Sequence, residues 1–327
     1  LQGWLSIPAE RFRLAQSLGF GPGDIARHVE RPMLVSVVPG ALMVIFLICT
    51  TSFAVALVLG GGPKATTIEL AIYQAFRFAF DLAKAALLGA IQVGICVAAV
   101  ILTRSFPVSD GMGAGLDRVL DIRPPRGWAY LVQDTAILTV VILFLLTPLA
   151  MIVLGGLGGI IDLPSQVWLA ALRSVLVALC SVAVPFALVL PRSFALAARS
   201  RLAELATSVP IALSPLVLGL GLFILLNPIV DPRDVALPVT ALVNALMSLP
   251  FVARILTPPV RALRADYGRL SASLGITGLV WARLFAWPRL RAPLGFSAGL
   301  AGALSMGDLG VVVLFADGDS ATLPLIL

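Results

Sequence analysis

The sequence has few of the residues on which soluble domains and enzymes depend. Only 12% of its residues are charged, about half the fraction usual for a globular chain. It holds one histidine, His28, and three cysteines, Cys49, Cys96 and Cys180, with no metal-ligand spacing among them. This composition excludes a soluble fold and provides no residue set for catalysis, for a metal or for another cofactor.

Long apolar runs make up most of the chain. The sequence is 59% hydrophobic, with a mean hydropathy of +1.03. Each run holds about the 20 residues that cross a hydrocarbon layer as a helix, and none alternates as membrane strands do. The pattern predicts an all-α integral membrane protein with seven spans, near 33–59, 82–103, 131–154, 168–190, 205–226, 235–256 and 292–315.

Basic residues outnumber acidic ones by six, and their placement follows the expected spans. If the spans alternate in direction, 18 of the 23 lysines and arginines fall on one side, together with the polar loops 7–32 and 257–291. This positive-inside bias predicts that both loops face the cytoplasm. The basic excess therefore reflects topology, and nucleic acid is not an expected partner.

The two loops carry one pattern twice, 256 residues apart. Ten of 26 aligned positions are identical without a gap. Gly19 and Gly275 fit a sharp turn between two short helices, and Pro32 and Pro288 are expected to interrupt the backbone where the next span begins. One copy alone would be equally consistent with docking and with an ordinary interfacial loop stiffened by glycine and proline. Two copies at one offset favour docking to a partner on the inner side.

The offset also predicts two similar halves, so that the chain would be a fragment of a longer fused protein, lacking both ends. The expected organisation is 1–104 for the end of the first half, 105–130 for a cytoplasmic linker rich in Gly, Pro and Arg, and 131–327 for the second half with five spans. Residues 66–80 are predicted to form a short outer helix, with Thr67 as its cap and Glu69 in its first turn.

Three polar residues in the expected spans are candidates for a substrate pathway. Asp308 lies about 16 residues into the last span, where an acid is either functional or solvated near the outer interface. Its counterpart in the first half is Ser52. Asn244 lies mid-span and either bonds a neighbouring helix or faces a pathway. The sequence leaves both alternatives open.

The loops resemble the EAA motif of binding-protein-dependent ABC importer permeases. In that motif a glycine follows four positions after the second alanine and a proline closes the motif, and both copies match this spacing. Arginine replaces the motif's glutamate in both copies, and the second alanine is kept only in the first. The residues to which the resemblance assigns ATPase coupling are Arg13, Ala15, Gly19, Pro32, Arg269, Ser271, Gly275 and Pro288.

Nearly the whole chain is similar to the double-length permeases of bacterial thiamine and thiamine-pyrophosphate importers. The segments that carry this similarity are 51–55, 59–74, 305–312 and 322–324. Ferric-iron permeases share the fused layout and a similar second-half segment. The outer glycine-rich stretch favours thiamine.

The resemblance implies a type I importer permease in the bacterial inner membrane, surrounded by lipid and without catalytic activity. Two cytoplasmic ATPase subunits would close on the loops, and a periplasmic binding protein would deliver the substrate. Motion of the loops would then produce alternating access. The alternatives are an ABC importer permease for ferric iron or another small solute, and an ion-coupled secondary transporter, which is also commonly built from repeats.

Overall fold

The computed structural model describes residues 12, 14–15, 17–60, 66–104, 128–159, 163–194, 209–276, 278–316 and 322–326. Within these residues every regular element is a helix, so the prediction of an all-α protein is confirmed. Arg13 and residues 105–127 of the expected linker lie outside the described residues.

Thirteen α-helices follow one another in the described parts of the chain. They are α1 (Pro22–Ile25), α2 (Arg31–Thr50), α3 (Phe53–Leu59), α4 (Ile68–Arg77), α5 (Leu82–Arg104), α6 (Trp128–Leu157), α7 (Ser165–Phe194), α8 (Pro215–Leu226), α9 (Ala236–Ser273), α10 (Gly278–Trp281), α11 (Trp287–Met306), α12 (Val312–Phe315) and α13 (Leu323–Ile326). A five-residue π-helical turn follows α1 and another follows α10, and a 3-10 turn (Val209–Ala212) precedes α8.

Four helices are long and apolar enough to cross a membrane, which makes the chain a multi-pass membrane protein. They are α5 over Leu82–Leu102, α6 over Leu131–Leu157, α7 over Ser165–Pro191, and α9. A fifth candidate is the pair Gly23–Val35 and Val37–Thr50, which is bent by 43°. Pro39 accounts for the bend, because its ring crowds the carbonyl of Val35 and removes a hydrogen bond. The expected count of seven spans is not confirmed.

Several expected spans differ from the helices. The runs 33–59 and 292–315 are each broken, after Thr50 and after Met306. In the described part of the run 205–226, from residue 209, the 3-10 turn is followed by the 12-residue α8. The run 235–256 belongs to the 38-residue α9, which continues through two prolines to Ser273, so the second loop begins later than expected. Apolar composition indicates which residues suit lipid, whereas glycines and caps decide where a helix ends.

Residues 118–169 form a compact unit of their own. This unit contains α6 and the beginning of α7. The side chains of residues 131–157 are exposed along the whole length of α6. A helix that is apolar on every side fits a lipid environment.

Residues 1–117 and 170–327 form the other unit, and its main apolar core joins α4, α5, α8, α9 and residues 311–315. The ring of Phe223 on α8 meets those of Phe76 and Phe315 edge to face, with centroid distances of 4.9 and 5.5 Å. The core therefore holds α8 close to the segment that follows α11. The candidate site lies beside these two segments.

Candidate functional site

The first loop turns at Gly19, which has φ of +70°. The N–H of Phe20 donates to the carbonyl of Ala15 at 3.0 Å. This is the bond of a Schellman cap, in which the residue after the helix adopts the left-handed conformation. Glycine adopts it without the steric cost that a side chain carries. The predicted sharp turn at this glycine is confirmed.

The second loop makes the same turn at Gly275, which has φ of +65°. The N–H of Ile276 donates to the carbonyl of Ser271 at 2.9 Å, and the N–H of Gly275 to that of Ala272 at 3.2 Å. The helix before this turn is the long α9, so the prediction of two short helices is wrong for the second copy.

Each turn leads into a widened stretch of helix. The π-helical turns cover Ala26–Glu30 and Ala282–Ala286, and each is closed by an N–H that bonds the carbonyl five residues earlier. Pro32 and Pro288 follow immediately. A proline has no backbone N–H to donate, and its ring crowds the carbonyl four residues before it. The wider π-turn relieves this crowding. The chain therefore stays helical at both prolines, and the expected interruption there is wrong.

The helix bounds after the two loops differ by the same 256 positions as the sequence patterns. Helix α2 covers Arg31–Thr50 and α11 covers Trp287–Met306, 20 residues each. The two loops thus share one succession of left-handed glycine, short helix, π-turn and long helix. This likeness supports an internal duplication, which stays a prediction.

The residues that the resemblance assigns to ATPase coupling differ in exposure. Pro32, Arg269 and Pro288 are exposed, whereas Ala15 is 3% and Ser271 8% exposed. The exposed members are available to a partner, and the buried ones shape the helices before the turns. Their contact with an ATPase stays a prediction.

The second loop is anchored to the end of α9. The Nη2 of Arg289 donates to the Tyr267 hydroxyl at 2.6 Å, and its guanidinium carbon lies 3.9 Å from the ring centroid. A small apolar cluster supports this contact, and its buried members are Val260, Leu263, Ala286 and Leu290. The loop and the end of α9 are therefore expected to move together.

The helices that follow the two loops end at breaks that line one cavity. Residues 51–53 follow α2 and residues 307–309 follow α11, and both segments line the cavity. Its volume is about 360 Å³, within the range of about 300–1,000 Å³ common for small-molecule sites. At 1.5 Å per residue each helix spans about 30 Å. A single helix thus connects each loop to the cavity wall.

All three candidate pathway residues, Ser52, Asn244 and Asp308, lie on the wall of this cavity. They come from different elements and are far apart in the sequence. Among the described residues, the lining also includes the polar Thr51, Ser214 and Arg254. A part for these residues in substrate passage stays a prediction.

Asn244 also connects helices, as one of its two sequence alternatives expects. Its Nδ2 donates to the Ser305 hydroxyl at 3.1 Å, and that hydroxyl donates to the Ser181 hydroxyl at 3.1 Å. Ser181 in turn bonds the carbonyls of Val177 and Ala241. This buried chain joins α7, α9 and α11 beside the cavity.

Asp308 is held by its own backbone rather than by a cation. Its Oδ1 accepts from the N–H of Gly310 at 3.1 Å, and the N–H of Val311 also bonds the carboxylate. Its Oδ2 is buried and has no hydrogen-bond partner among the described residues. The residue lines the cavity, but this oxygen is shielded from it, so a positive or hydrogen-donating group of a ligand would reach Oδ2 only after a local movement of the wall.

Sequence reasoning did not identify Arg254 as a cavity residue. Helix α9 presents Asn244, Met247, Phe251 and Arg254 to the cavity, a spacing of three, four and three that defines one helix face. Asn244 and Arg254 lie about 15 Å apart along this face. The expected span ended at residue 256, so Arg254 was counted with the cytoplasmic charges. The helical spacing of these four residues was the available signal.

The short helix predicted over residues 66–80 is present as α4, and Thr67 caps it by accepting from the N–H of Leu70 at 3.3 Å, whereas its location on the outer side stays a prediction. Its Glu69 is fully buried, which the sequence did not indicate. The Nε2 of Gln92, on α5, donates to Glu69 Oε1 at 2.5 Å. Desolvation raises the pKa of Glu69, and hydrogen bonds with Ser214 and Gln92 lower it.

Within the described ranges, no group of three or more His, Cys, Asp or Glu residues could hold a metal ion. His28 lies in the first loop, where its Nδ1 is 3.0 Å from the carbonyl oxygen of Asp24. The three cysteines are free thiols.

Curated relatives cover the whole chain. It is 33% identical over 342 residues to the protein named "Thiamine transport system permease protein ThiP" of Brucella abortus (strain 2308). Proteins of the same name from Salmonella typhimurium and Escherichia coli K12 are 35% identical over 341 and 343 residues. Each alignment covers 100% of this chain but only 62% or 63% of the relative. The chain thus spans less than two thirds of their length.

No family model matches the chain, and no solved structure matches it. The predicted similarity of nearly the whole chain to thiamine permeases is confirmed by these curated relatives.

Proposed function

This chain is homologous over its whole length to thiamine transport permeases, and from that premise we propose that it is part of the translocation subunit of an ATP-driven thiamine importer. In this role the chain catalyses no reaction. It forms the path that the substrate takes through the membrane, and the energy comes from separate ATPase subunits.

The observation that carries this proposal is the connection between the loops and the cavity. Each loop turns at a left-handed glycine and continues through one 20-residue helix to residues that line the cavity. A partner that moved both loops would move both sides of the cavity together. Helices transmit such displacements because packed elements move as bodies rather than deforming continuously.

The partners follow from the same geometry. Two loops with one backbone course suit two copies of one cytoplasmic ATPase, each seated on one loop. The substrate would be delivered on the opposite side by a periplasmic binding protein. The location is then the bacterial inner membrane, with loops 7–32 and 257–291 on its cytoplasmic face.

Thiamine carries a permanently positive thiazolium ring, and its phosphates add negative charge at the other end. The cavity offers Asp308 on one segment and Arg254 about 15 Å along α9 from Asn244. Asp308 can meet the thiazolium during passage. Ser52 and Asn244 can bond the neutral polar groups of the pyrimidine.

The test is uptake of labelled thiamine into membrane vesicles that contain the full-length protein with its ATPase and binding protein. We expect uptake that requires ATP and stops when either partner is omitted. Uptake driven by a proton or sodium gradient without ATP would contradict the proposal and favour a secondary transporter. ATP-dependent uptake of ferric iron but not of thiamine would agree with the ABC importer role but contradict thiamine as the substrate.

A further inference from the structure

The carboxyl group of Glu69 lies where three helices meet. Glu69 is 0% exposed in the first turn of α4, and Gln92 of α5 is 1% exposed. Besides its bond from Gln92, the carboxyl group has a hydrogen bond with Ser214, the residue before α8. Among the described residues, neither lysine nor arginine is paired with it. Its contacts are therefore those of a hydrogen-bonded anchor rather than of a salt bridge.

Ser214 is the N-cap of α8. Its Oγ accepts from the N–H of Leu216 at 3.1 Å and from that of Val217 at 3.5 Å. A serine hydroxyl has two acceptor lone pairs and a single hydrogen. Since the two amides occupy the acceptor side, the hydrogen is left to donate to Glu69. The carboxyl group thus favours the rotamer with which Ser214 caps the helix.

The start of α8 is also part of the cavity wall. Ser214, Pro215 and Leu216 line the cavity together with Asp308. Gly310 packs so closely on this helix start that a Cβ at its position would lie 3.3 Å from the Leu216 nitrogen. The segment that carries Asp308 therefore rests against the same helix end that Glu69 anchors.

Two buried polar atoms of the cluster lack a hydrogen-bond partner within the described part of the chain, so packing alone does not favour this pair of side chains. Glu69 Oε2 and Gln92 Oε1 are buried without a hydrogen-bond partner among the described residues. Burying polar atoms in this way is unfavourable, and an apolar pair of similar volume would avoid the penalty.

We propose that Glu69 is a positioning residue that acts through Ser214 to hold the start of α8, and with it the cavity wall beside Asp308, in place. The anchoring is independent of what passes through the cavity, whereas its importance for transport rests on the proposed function.

Hydrogen exchange of the full-length protein in detergent tests the anchoring directly. In Glu69→Ala, we expect the amides of Leu216 and Val217 to exchange about tenfold faster or more, because the cap loses its anchor. Gln92→Met, which keeps the volume but removes the amide, should act in the same direction and serves if Glu69→Ala does not fold. Glu69→Gln should keep the protection, since its amide can bond both Gln92 and Ser214.

The matched control is Gln74→Ala, which truncates an exposed side chain on the same helix. It should leave exchange at the start of α8 unchanged. Unchanged exchange in both Glu69→Ala and Gln92→Met would overturn the proposal, as would equally fast exchange in the control. Fast exchange in Glu69→Gln would also overturn it, because the charge rather than the bonding would then be the requirement.

Uptake measurements add a functional readout whose failure can be distinguished from failure of the exchange experiment. With Glu69→Ala we expect a lower maximal rate, restored by Glu69→Gln. If the parent protein takes up no thiamine, the proposed function fails while the exchange experiment still tests the anchoring. If the parent transports and Glu69→Ala exchanges fast but transports at the parental rate, the anchored wall has no role in transport and that part of the proposal is overturned.

Discussion

Replacing the turn glycines with alanine tests whether the two loops work as rigid couplers. Gly19 and Gly275 have φ of +70° and +65°, and a Cβ at either position would meet no atom within 4 Å. The cost of alanine is therefore conformational, about 1–2 kcal/mol per loop for an L residue in the left-handed region. A cost of this size disfavours the native turn by a factor of about 5–30.

The same loops offer matched controls. Gly23 and Gly268 are glycines whose φ is not positive, and a Cβ at either would also meet no atom within 4 Å. Gly23→Ala and Gly268→Ala thus make the same chemical change without the conformational cost, and in a helix alanine is favoured over glycine. They should transport at about the parental rate.

The assay is ATP-driven thiamine uptake, normalised to the amount of protein in the membrane. We expect Gly19→Ala and Gly275→Ala each to lose several-fold in rate, and the double variant to lose more. Asparagine, which tolerates this region better, should lose less than alanine. Proline, whose φ is fixed near −65°, should abolish uptake while membrane insertion stays intact.

Two results would refute the reasoning. If the alanine variants at the turns transport as well as the controls, the left-handed geometry is not needed for coupling. If they disappear from the membrane, the glycines serve folding, and a loss of uptake says nothing about coupling.

Three further predictions concern the cavity and the second loop. Asp308→Asn keeps an oxygen for the backbone N–H groups but removes the charge, so it should slow uptake of cationic thiamine; an unchanged rate would remove Asp308 from the pathway. Asn244→Leu removes the donor to Ser305 and should lower the free energy of unfolding of the detergent-solubilised protein by about 0.6–1.7 kcal/mol, as for other hydrogen bonds within membranes. An unchanged melting temperature would contradict this. Tyr267→Phe removes the hydroxyl to which Arg289 donates but keeps the ring, so a partial loss of uptake is expected, smaller than in Tyr267→Ala; a parental rate in Tyr267→Phe beside a loss in Tyr267→Ala would assign the effect to packing alone.

The turns of both loops could be predicted from the sequence because they depend on local residues. A glycine after a helical pattern, followed by a proline, constrains the backbone without help from the rest of the fold. The cap of α4 by Thr67 was predictable for the same reason. The duplication strengthened these predictions, because a pattern found twice at one offset rarely arises by chance.

The helix ends and the buried polar contacts could not be predicted in this way. After the break at Met306, Gly310 packs against the start of α8, which lies far away in the sequence. The burial of Glu69 depends on Gln92 and Ser214, which the fold brings together from α5 and α8. Hydropathy averages over a window and cannot detect such contacts.

The two loops and the helices that follow them share one backbone course, but the cavity residues at the ends of these helices differ in chemistry, and the proposed function gives a reason. Ser52 and Asp308 occupy corresponding positions after α2 and α11, yet only the second carries charge. The two loops would meet identical ATPase copies, so both need the same turn. Thiamine, the proposed substrate, would be a single asymmetric molecule that passes between both sides. Two facing carboxylates would repel each other in a cavity of about 360 Å³, and together they would hold a cation too strongly to release it. One carboxylate on the cavity wall, with a serine at the corresponding position after α2, could attract the cation and still let it leave.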